Sequence, residues 1–426
     1  MRLSIVNGRV IDPASGLDTS AAVHVADGRV AAIGPQPPGF VADETLDATG
    51  LVVAPGLVDL AARLREPGFE YKATLESEMQ AAVAGGVTSL SCPPDTDPPL
   101  DEPGLVEMLK HRARGLDGAH LYPLGALTVG LGGEVITEMA ELAEAGCVGF
   151  SQADRMPHDT QTLVRAMQYA KTFGFTVWLQ PEDPNLARGG VAHGGPVAGR
   201  LGLPGIPVIA ETVALNTIFE IVRATGCRVH LCRLSSAPGV ELVRRAKAEG
   251  LPVTCDVAVH HLHLTDVDIG FFDSHYRVSP PFRAQRDRDA IRAAVADGTV
   301  DAICSDHTPV DDDAKLLPFA EAEPGVTGLE LLLPLTLKWA AEEGVALPRA
   351  LARITSAAAP ILGADAGRLQ VGAPADFCLF DPGAHWVVER DQLLSQGRHT
   401  PYLGRELTGR VRATIVGGRI VFSRPG

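Results

Sequence analysis

No apolar run in this 426-residue chain reaches the roughly 18 to 20 residues that a bilayer-spanning helix needs, which excludes a helical membrane protein. The opening stretch MRLSIVNGRVIDP has no apolar core and no small-residue cleavage site, so no secretion signal is read there and the expected location is cytoplasmic. Basic residues are in the minority. Lys and Arg number 37 against 52 Asp and Glu, a net charge of −15, and no basic run offsets it. Nucleic acid and anionic membrane are therefore not expected as partners. The seven cysteines, Cys92, Cys147, Cys227, Cys232, Cys255, Cys304 and Cys378, have no CxxC spacing and an odd count. A disulfide framework is not expected, and free thiols serving as small core residues are. A Gly-x-Ser-x-Gly turn is also missing, and no Cys–His pairing suggests an activated nucleophile.

The 46% of hydrophobic residues is enough for a substantial core, and its pattern divides the chain. RLSIVNGRVID, AAVHVADGRVAAIG and ETLDATGLVVAPG alternate apolar and polar residues around NG, DG and TG turns, as do GRLQVGAPADFCLFDP and RVRATIVGGRIVF near the other end. Such patterns predict short strands and hairpins. Residues 1–54 and 366–426 are expected to form two parts of one small β-sandwich module, with residues 55–365 inserted between them. That middle alternates short apolar strands, at 57–62, 87–92, 120–127, 148–152, 176–180, 228–235, 253–261 and 301–307, with amphipathic segments such as TLVRAMQYAKTFG and GVELVRRAKAEG. Several of these end in Gly, a helix stop signal. Eight such units predict an α/β (β/α)₈ barrel whose working face lies at the strand C-termini, with a doubly wound sheet as the alternative. The glycine-rich piece 187–207 lacks the strand–loop–helix setting of a phosphate loop and is expected to be a long loop on the barrel top.

Ordered motifs along nearly the whole chain carry a family resemblance. PGLVDL…LREPG, SCPPDTDP, LPGIPVIAETVALN, RVHLCRLSSAPGVELVRRAKAEG, SPPFR, DGTVDAICSDHTPV and GRHTPYLGRELTGR together resemble a dihydroorotase of the amidohydrolase superfamily. The resemblance implies a zinc-dependent hydrolase acting on the dihydroorotate ring in pyrimidine synthesis. It places one or two zinc ions at the barrel mouth, a proton-moving aspartate after the last strand, and an Arg and an Asn on the substrate carboxylate. A divalent ion can activate water in this way only if His, Asp or carboxylated Lys ligands hold it.

Position by position, the ligands implied by the resemblance are missing. The His-x-His of the first strand is Ala61 and Arg63. The bridging ligand after the fourth strand falls at FSQADR, with Gln152, and Asp154 is displaced along the turn. Gln180 stands at the fifth-strand histidine, and Arg233 at the second position of the sixth-strand pair that begins with His230. Alanine has no donor atom, and an arginine has no lone pair to give. The aspartate after the eighth strand survives as Asp306, beside His307, and Arg65 is retained. The two family asparagines are Asp95, whose carboxylate would repel the substrate's own, and Ser279. Asp306, Arg65, Asp95, Ser279 and His307 are thus read as vestiges of a catalytic and substrate site, and no zinc is expected. Arg63 or Arg233 is expected to enter the mouth and pair with Asp306, because an unpaired buried carboxylate is costly. His260, His261 and His263 are read as structural, and His111, His158, His193 and His275 as solvated.

The resemblance is strongest to inactive dihydroorotase-like chains that assemble with the catalytic chain of aspartate transcarbamoylase, commonly as a hetero-dodecamer. A structural subunit of that kind is the expected function, with a homo-oligomer as the other expected assembly. Two alternatives stand beside it. One is an active cyclic amidase with an altered metal site using Asp154, Glu182, His260 and Asp306. The other is a ligand-sensing or scaffold module that binds a carboxylate through Arg65.

Overall fold

A computed structural model of the chain describes residues 1–424. Its centre is a parallel sheet of eight strands in chain order: Leu57–Asp59, Val87–Cys92, His120–Ala126, Gly149–Ser151, Thr176–Leu179, Arg228–Leu231, Val253–Ala258 and Ala302–Cys304. Helices alternate with the strands, among them Leu75–Ala84, Thr160–Phe173, Ile209–Thr225 and Ala237–Ala248. The first and last strands meet just past their ends. Ala62 bridges His307 in parallel, with His307 N donating to Ala61 O at 3.0 Å and Arg63 N donating to His307 O at 2.9 Å. Below that seam Asp59 accepts from Ser305 N at 2.7 Å. The result is the expected barrel. Among the described residues no helix is long and apolar enough to cross a membrane.

The lower half of the barrel interior is apolar. Val58, Leu60, Leu124, Trp178, Ala302 and Cys304 pack with Ala358, Ala359 and Leu362 of the helix Ala358–Leu362. All seven cysteines are free, and all but Cys232 are buried.

Eight strands from the two chain ends form a second sheet, in which Val52–Pro55 joins the N-terminal strand Arg2–Asp12 to the C-terminal strand Phe377–Val387. The sheet folds over its own apolar face. Val25, Val30, Val53, Phe377, Leu379 and Ile415 share one cluster, and Ala375 N donates to Gly28 O at 2.9 Å across the closure. It rests against the first barrel helix, where Thr414 Oγ1 donates to Val83 O at 2.6 Å.

Two sequence expectations need correction. The piece 187–207 is not an unstructured loop. Ala192–His193 pairs with Gly205–Ile206, and the helix Pro196–Leu201 lies between them. Glycine permits this pairing: a Cβ on Gly205 would come 2.5 Å from Gly194 Cα. His193 is consequently buried rather than solvated, beside Arg283, which donates to Ile206 O at 2.6 Å. His275 is half-buried as well, 3.4 Å from His399, whereas His111 and His158 are exposed.

The C-terminal arm, residues 388–405 between the strands Phe377–Val387 and Glu406–Val416, is held to the barrel by two buried carboxylates. Glu78 accepts from Ser395 Oγ at 2.7 Å, from Gln396 N at 3.0 Å and from His307 Nε2 at 2.5 Å. Against the desolvation that burial imposes, the His307 bond holds the Glu78 carboxyl below its ordinary range. Glu330 accepts from Leu394 N and Ser395 N, and burial pushes it up to about 7. Substituting Glu78→Ala removes the acceptor of two buried donors, His307 Nε2 and Ser395 Oγ, and of the part-buried Gln396 N. We predict a loss of about 2–3 kcal/mol in urea unfolding together with faster amide exchange at Gln396. Unchanged exchange there would show that the arm is held some other way.

Candidate functional site

The C-terminal ends of six barrel strands deliver the residues of the mouth: Arg63 after the first strand, Asp95 after the second, Asp154 after the fourth, Gln180 after the fifth, Arg233 after the sixth and Asp306 after the eighth. Four mouth residues other than glycine have left-handed backbone, namely Arg65 (φ 64°), Ala153 (φ 55°), Arg233 (φ 56°) and Asp306 (φ 48°). Such conformations cost on the order of 1 kcal/mol each and persist only where surrounding contacts over-determine them.

Those contacts form one ionic network. Arg63 donates through Nε to Asp95 Oδ2 at 2.7 Å, through Nη2 to Asp154 Oδ1 at 2.6 Å and through Nη1 to Thr308 Oγ1 at 3.0 Å. Arg233 donates through Nη1 to Asp306 Oδ1 at 3.0 Å, and through Nη2 to both Asp154 Oδ1 and Gln180 Oε1 at 2.5 Å. A single oxygen of Asp154 thus lies between two guanidiniums. Arg63 Nη1 also stands 3.9 Å from Asp306 Oδ1. The expected pairing with Asp306 is present, and Arg233 makes it directly.

Burial, the largest influence, opposes charge on Arg63, Asp154, Arg233 and Asp306, and neighbouring charges decide the outcome. Against that desolvation, Arg233 and Arg63 hold the Asp154 carboxyl well below its ordinary range. Asp306 has a single close guanidinium, and burial pushes it up to about 6 despite Arg233 and Arg63. Burial also pulls on the guanidiniums, yet the facing carboxylates raise both Arg63 and Arg233 above the usual arginine value.

The other predicted site residues do not converge on a substrate. Arg65 is buried and donates through Nε to Pro309 O at 2.8 Å. His307 points away from the mouth: its Nε2 faces Glu78, while Nδ1 accepts from Gly328 N at 3.1 Å. The sequence reading of His307 as a vestigial substrate contact is corrected on this ground, since the barrel seam fixes its backbone and turns its ring into the clamp on the arm. Asp95 is not a bare repelling charge, because Arg63 neutralises it. Gln152 accepts from Thr128 Oγ1 at 2.9 Å and donates to Leu131 O at 2.8 Å. Ser279 lies 3.5 Å from Gln180 Nε2, and Ala61 forms part of the apolar interior. Above the network a cavity of about 800 Å³ remains, walled by Asp95, Gln152, Asp154, Glu182, Arg188 and Ser279 among others.

The donor set does not suit the zinc that the fold family implies. Of the five positions, two carry guanidiniums, two carry carboxamides and one carries a methyl group, and Arg233 occupies the space between Asp154 and Asp306. Among the described residues no three His, Cys, Asp or Glu side chains are arranged to hold a metal ion. The alternative set of Asp154, Glu182, His260 and Asp306 is accordingly not assembled. His260 is buried against Tyr402, ring centroids 5.7 Å apart, and burial brings it down to about 3. His230 is buried too, its Nε2 3.0 Å from Asp256 Oδ2. Sequence reasoning missed the central part played by Asp154. The one available signal was that a displaced acid in the turn stood opposite two new arginines.

Comparison with known proteins accords with this architecture. A family model described as Dihydro-orotase-like matches residues 50–238, and one described as Amidohydrolase family matches residues 205–422. A protein named Dihydroorotase-like protein from Pseudomonas aeruginosa is 49% identical over 420 residues, covering 99% of both chains. A protein named Dihydroorotase from Geobacter metallireducens is 38% identical over 424 residues, covering 100% of both. Among solved structures, an L-hydantoinase (dihydropyrimidinase) from Arthrobacter aurescens superposes with a TM-score of 0.87 at 24% identity, covering 99% of this chain and 96% of its own, a likeness of fold. The chain belongs to the amidohydrolase family, among its dihydroorotase-like members.

Removing one partner of a buried ionic network leaves the others uncompensated. Arg233→Met should lower stability by about 3 kcal/mol near pH 8. Without the guanidinium Asp306 rises further, so its cost applies above that raised value and is relieved as pH falls and the carboxyl takes up a proton. Urea unfolding should therefore show a smaller deficit at about pH 5 than at about pH 8. Equal stability of variant and parent at the higher pH would contradict the network.

Proposed function

We propose that this protein is a non-catalytic dihydroorotase-like chain of pyrimidine biosynthesis that serves as a structural subunit of an aspartate transcarbamoylase complex. The observation that supports it is the guanidinium pair. Arg63 and Arg233 stand at ligand positions and bind the acid, Asp306, that would otherwise serve a metal-bound nucleophile. Chemistry through a bound metal needs lone-pair donors at those positions, while assembly needs only the outer shape of the barrel. The scaffold keeps that shape, with eight strand–helix units and the arm clamped by Glu78 and Glu330.

Co-expression with the transcarbamoylase catalytic chain of the same organism tests this reading. Sedimentation is expected to give one mixed complex, and the transcarbamoylase is expected to lose assembly or activity when this chain is omitted. A transcarbamoylase fully assembled and active alone would remove the reading.

The second reading, an active cyclic amidase, is favoured by the name Dihydroorotase on relatives such as that from Geobacter metallireducens and by the open cavity of about 800 Å³. Turnover of dihydroorotate or N-carbamoyl aspartate with zinc supplied separates the two. The structural reading expects no rate above that of the Asp306→Ala variant, and a rate that depends on Asp306 would establish the enzyme.

A further inference from the structure

A cavity of about 380 Å³ lies at the end of the barrel opposite the mouth. It is bounded by the helix Pro103–Arg114, the start of the strand His120–Ala126 and the hairpin that joins Glu406–Val416 to Arg419–Ser423. Among the described residues its walls carry Lys110, Arg114, His120 and Arg419 and no carboxylate, in a chain whose net charge is −15. Cavities elsewhere include acids, such as Asp95, Asp154 and Glu182 at the mouth and Glu342 and Glu406 beside Leu407.

Two of the four basic groups are paired by acids that do not wall the cavity. His120 Nε2 lies 3.1 Å from Asp376 Oδ2, a bond that raises the imidazole above its ordinary value, and Arg419 Nη2 stands 3.3 Å from Asp117 Oδ1. Glu107, one turn back on the helix, and Asp365, held by Arg368, also lie outside the walls. Lys110 and Arg114 have no ion-pair partner among the described residues. A glycine seats the lysine, since a Cβ on Gly146 would come 1.8 Å from Lys110 Nζ. The ammonium thus crosses the C-terminal end of the helix Met139–Ala145, where the peptide dipoles favour a cation. The rest of the wall is largely apolar, with Leu116, Leu121 and Val416.

Two unpaired cations beside an apolar wall specify a ligand with an apolar body and about two negative charges. A phosphomonoester carries about −1.5 to −2 near pH 7, and its oxygens accept from several charged donors at once. A monocarboxylate brings one charge and leaves one cation uncompensated. We propose that this cavity binds a small phosphomonoester, its phosphate held by Lys110 and Arg114 and its apolar body against Leu116, Leu121 and Val416. Lys110 and Arg114 belong to the barrel and Val416 and Arg419 to the β module, so the ligand bridges the two and stabilises the folded chain. The site is separate from the mouth and stands whether or not the mouth is catalytic.

Calorimetric titration of the full chain with phenyl phosphate, inorganic phosphate and benzoate tests this, using the parent, Arg114→Gln and Lys110→Gln/Arg114→Gln. Phenyl phosphate should bind the parent one to a chain, at least about tenfold more tightly than either other probe, and should raise the thermal midpoint. The double variant should weaken that binding by about tenfold or more, and added salt should weaken the parent's binding. Melting of the unliganded variants checks their folding. If the double variant does not fold, Arg114→Gln carries the comparison, because Arg114 is exposed and unpaired, and it too should bind phenyl phosphate more weakly than the parent. Failure of phenyl phosphate to bind below about 10 mM would overturn the proposal. So would equal binding by the parent and the folded variants, or binding of benzoate or inorganic phosphate as tight as that of phenyl phosphate.

Discussion

A carboxylate oxygen shared by two guanidiniums governs this molecule's mouth. Asp154 Oδ1 lies 2.6 Å from Arg63 and 2.5 Å from Arg233, and through these arginines it reaches Asp95 and Asp306. Six strands of the barrel must agree in register for the network to close. Its electrostatics resemble those of a divalent cluster in one respect, since a bridging acid separates two centres of positive charge. The difference is decisive for chemistry. A guanidinium keeps its positive charge near neutrality and offers no open coordination position, so it does not lower the pKa of a water molecule as a metal does.

The same network accounts for the unequal state of its acids. Of the two acids that Arg233 and Arg63 both approach, Asp306, which Arg63 reaches only at 3.9 Å, is the one that burial lifts to about 6. Asp154, with two close guanidiniums, is held low. Their effects on stability oppose one another. The contribution of Asp306 is lost as pH rises through about 6, whereas that of Asp154 is lost as pH falls below the ordinary carboxylate range.

Much of this could be read from residues alone. Eight apolar runs with intervening amphipathic segments pointed to the barrel because strand and helix periods differ so plainly, and the family resemblance implied histidines where Ala61, Arg63, Gln180 and Arg233 stand. Other features depended on distance in space. Asp154 looked displaced along its turn, and only the left-handed backbone at Ala153 aims it between the arginines. His307 adjoins Asp306 in sequence yet faces a different acid, Glu78, 2.5 Å away and 229 positions removed. The strand pairing hidden in 187–207 required glycines to approach across the fold. Period reveals elements, but contacts between distant strand ends leave no periodic trace.

The central claim is that guanidiniums hold the place of metal in this barrel. Diffraction from crystals grown with zinc, with anomalous data collected at the zinc edge, examines it most directly. The account predicts that Arg63 and Arg233 remain bonded to Asp154, with no anomalous peak inside the mouth. A peak between Asp154 and Asp306, with Arg233 swung out to make room, would contradict it.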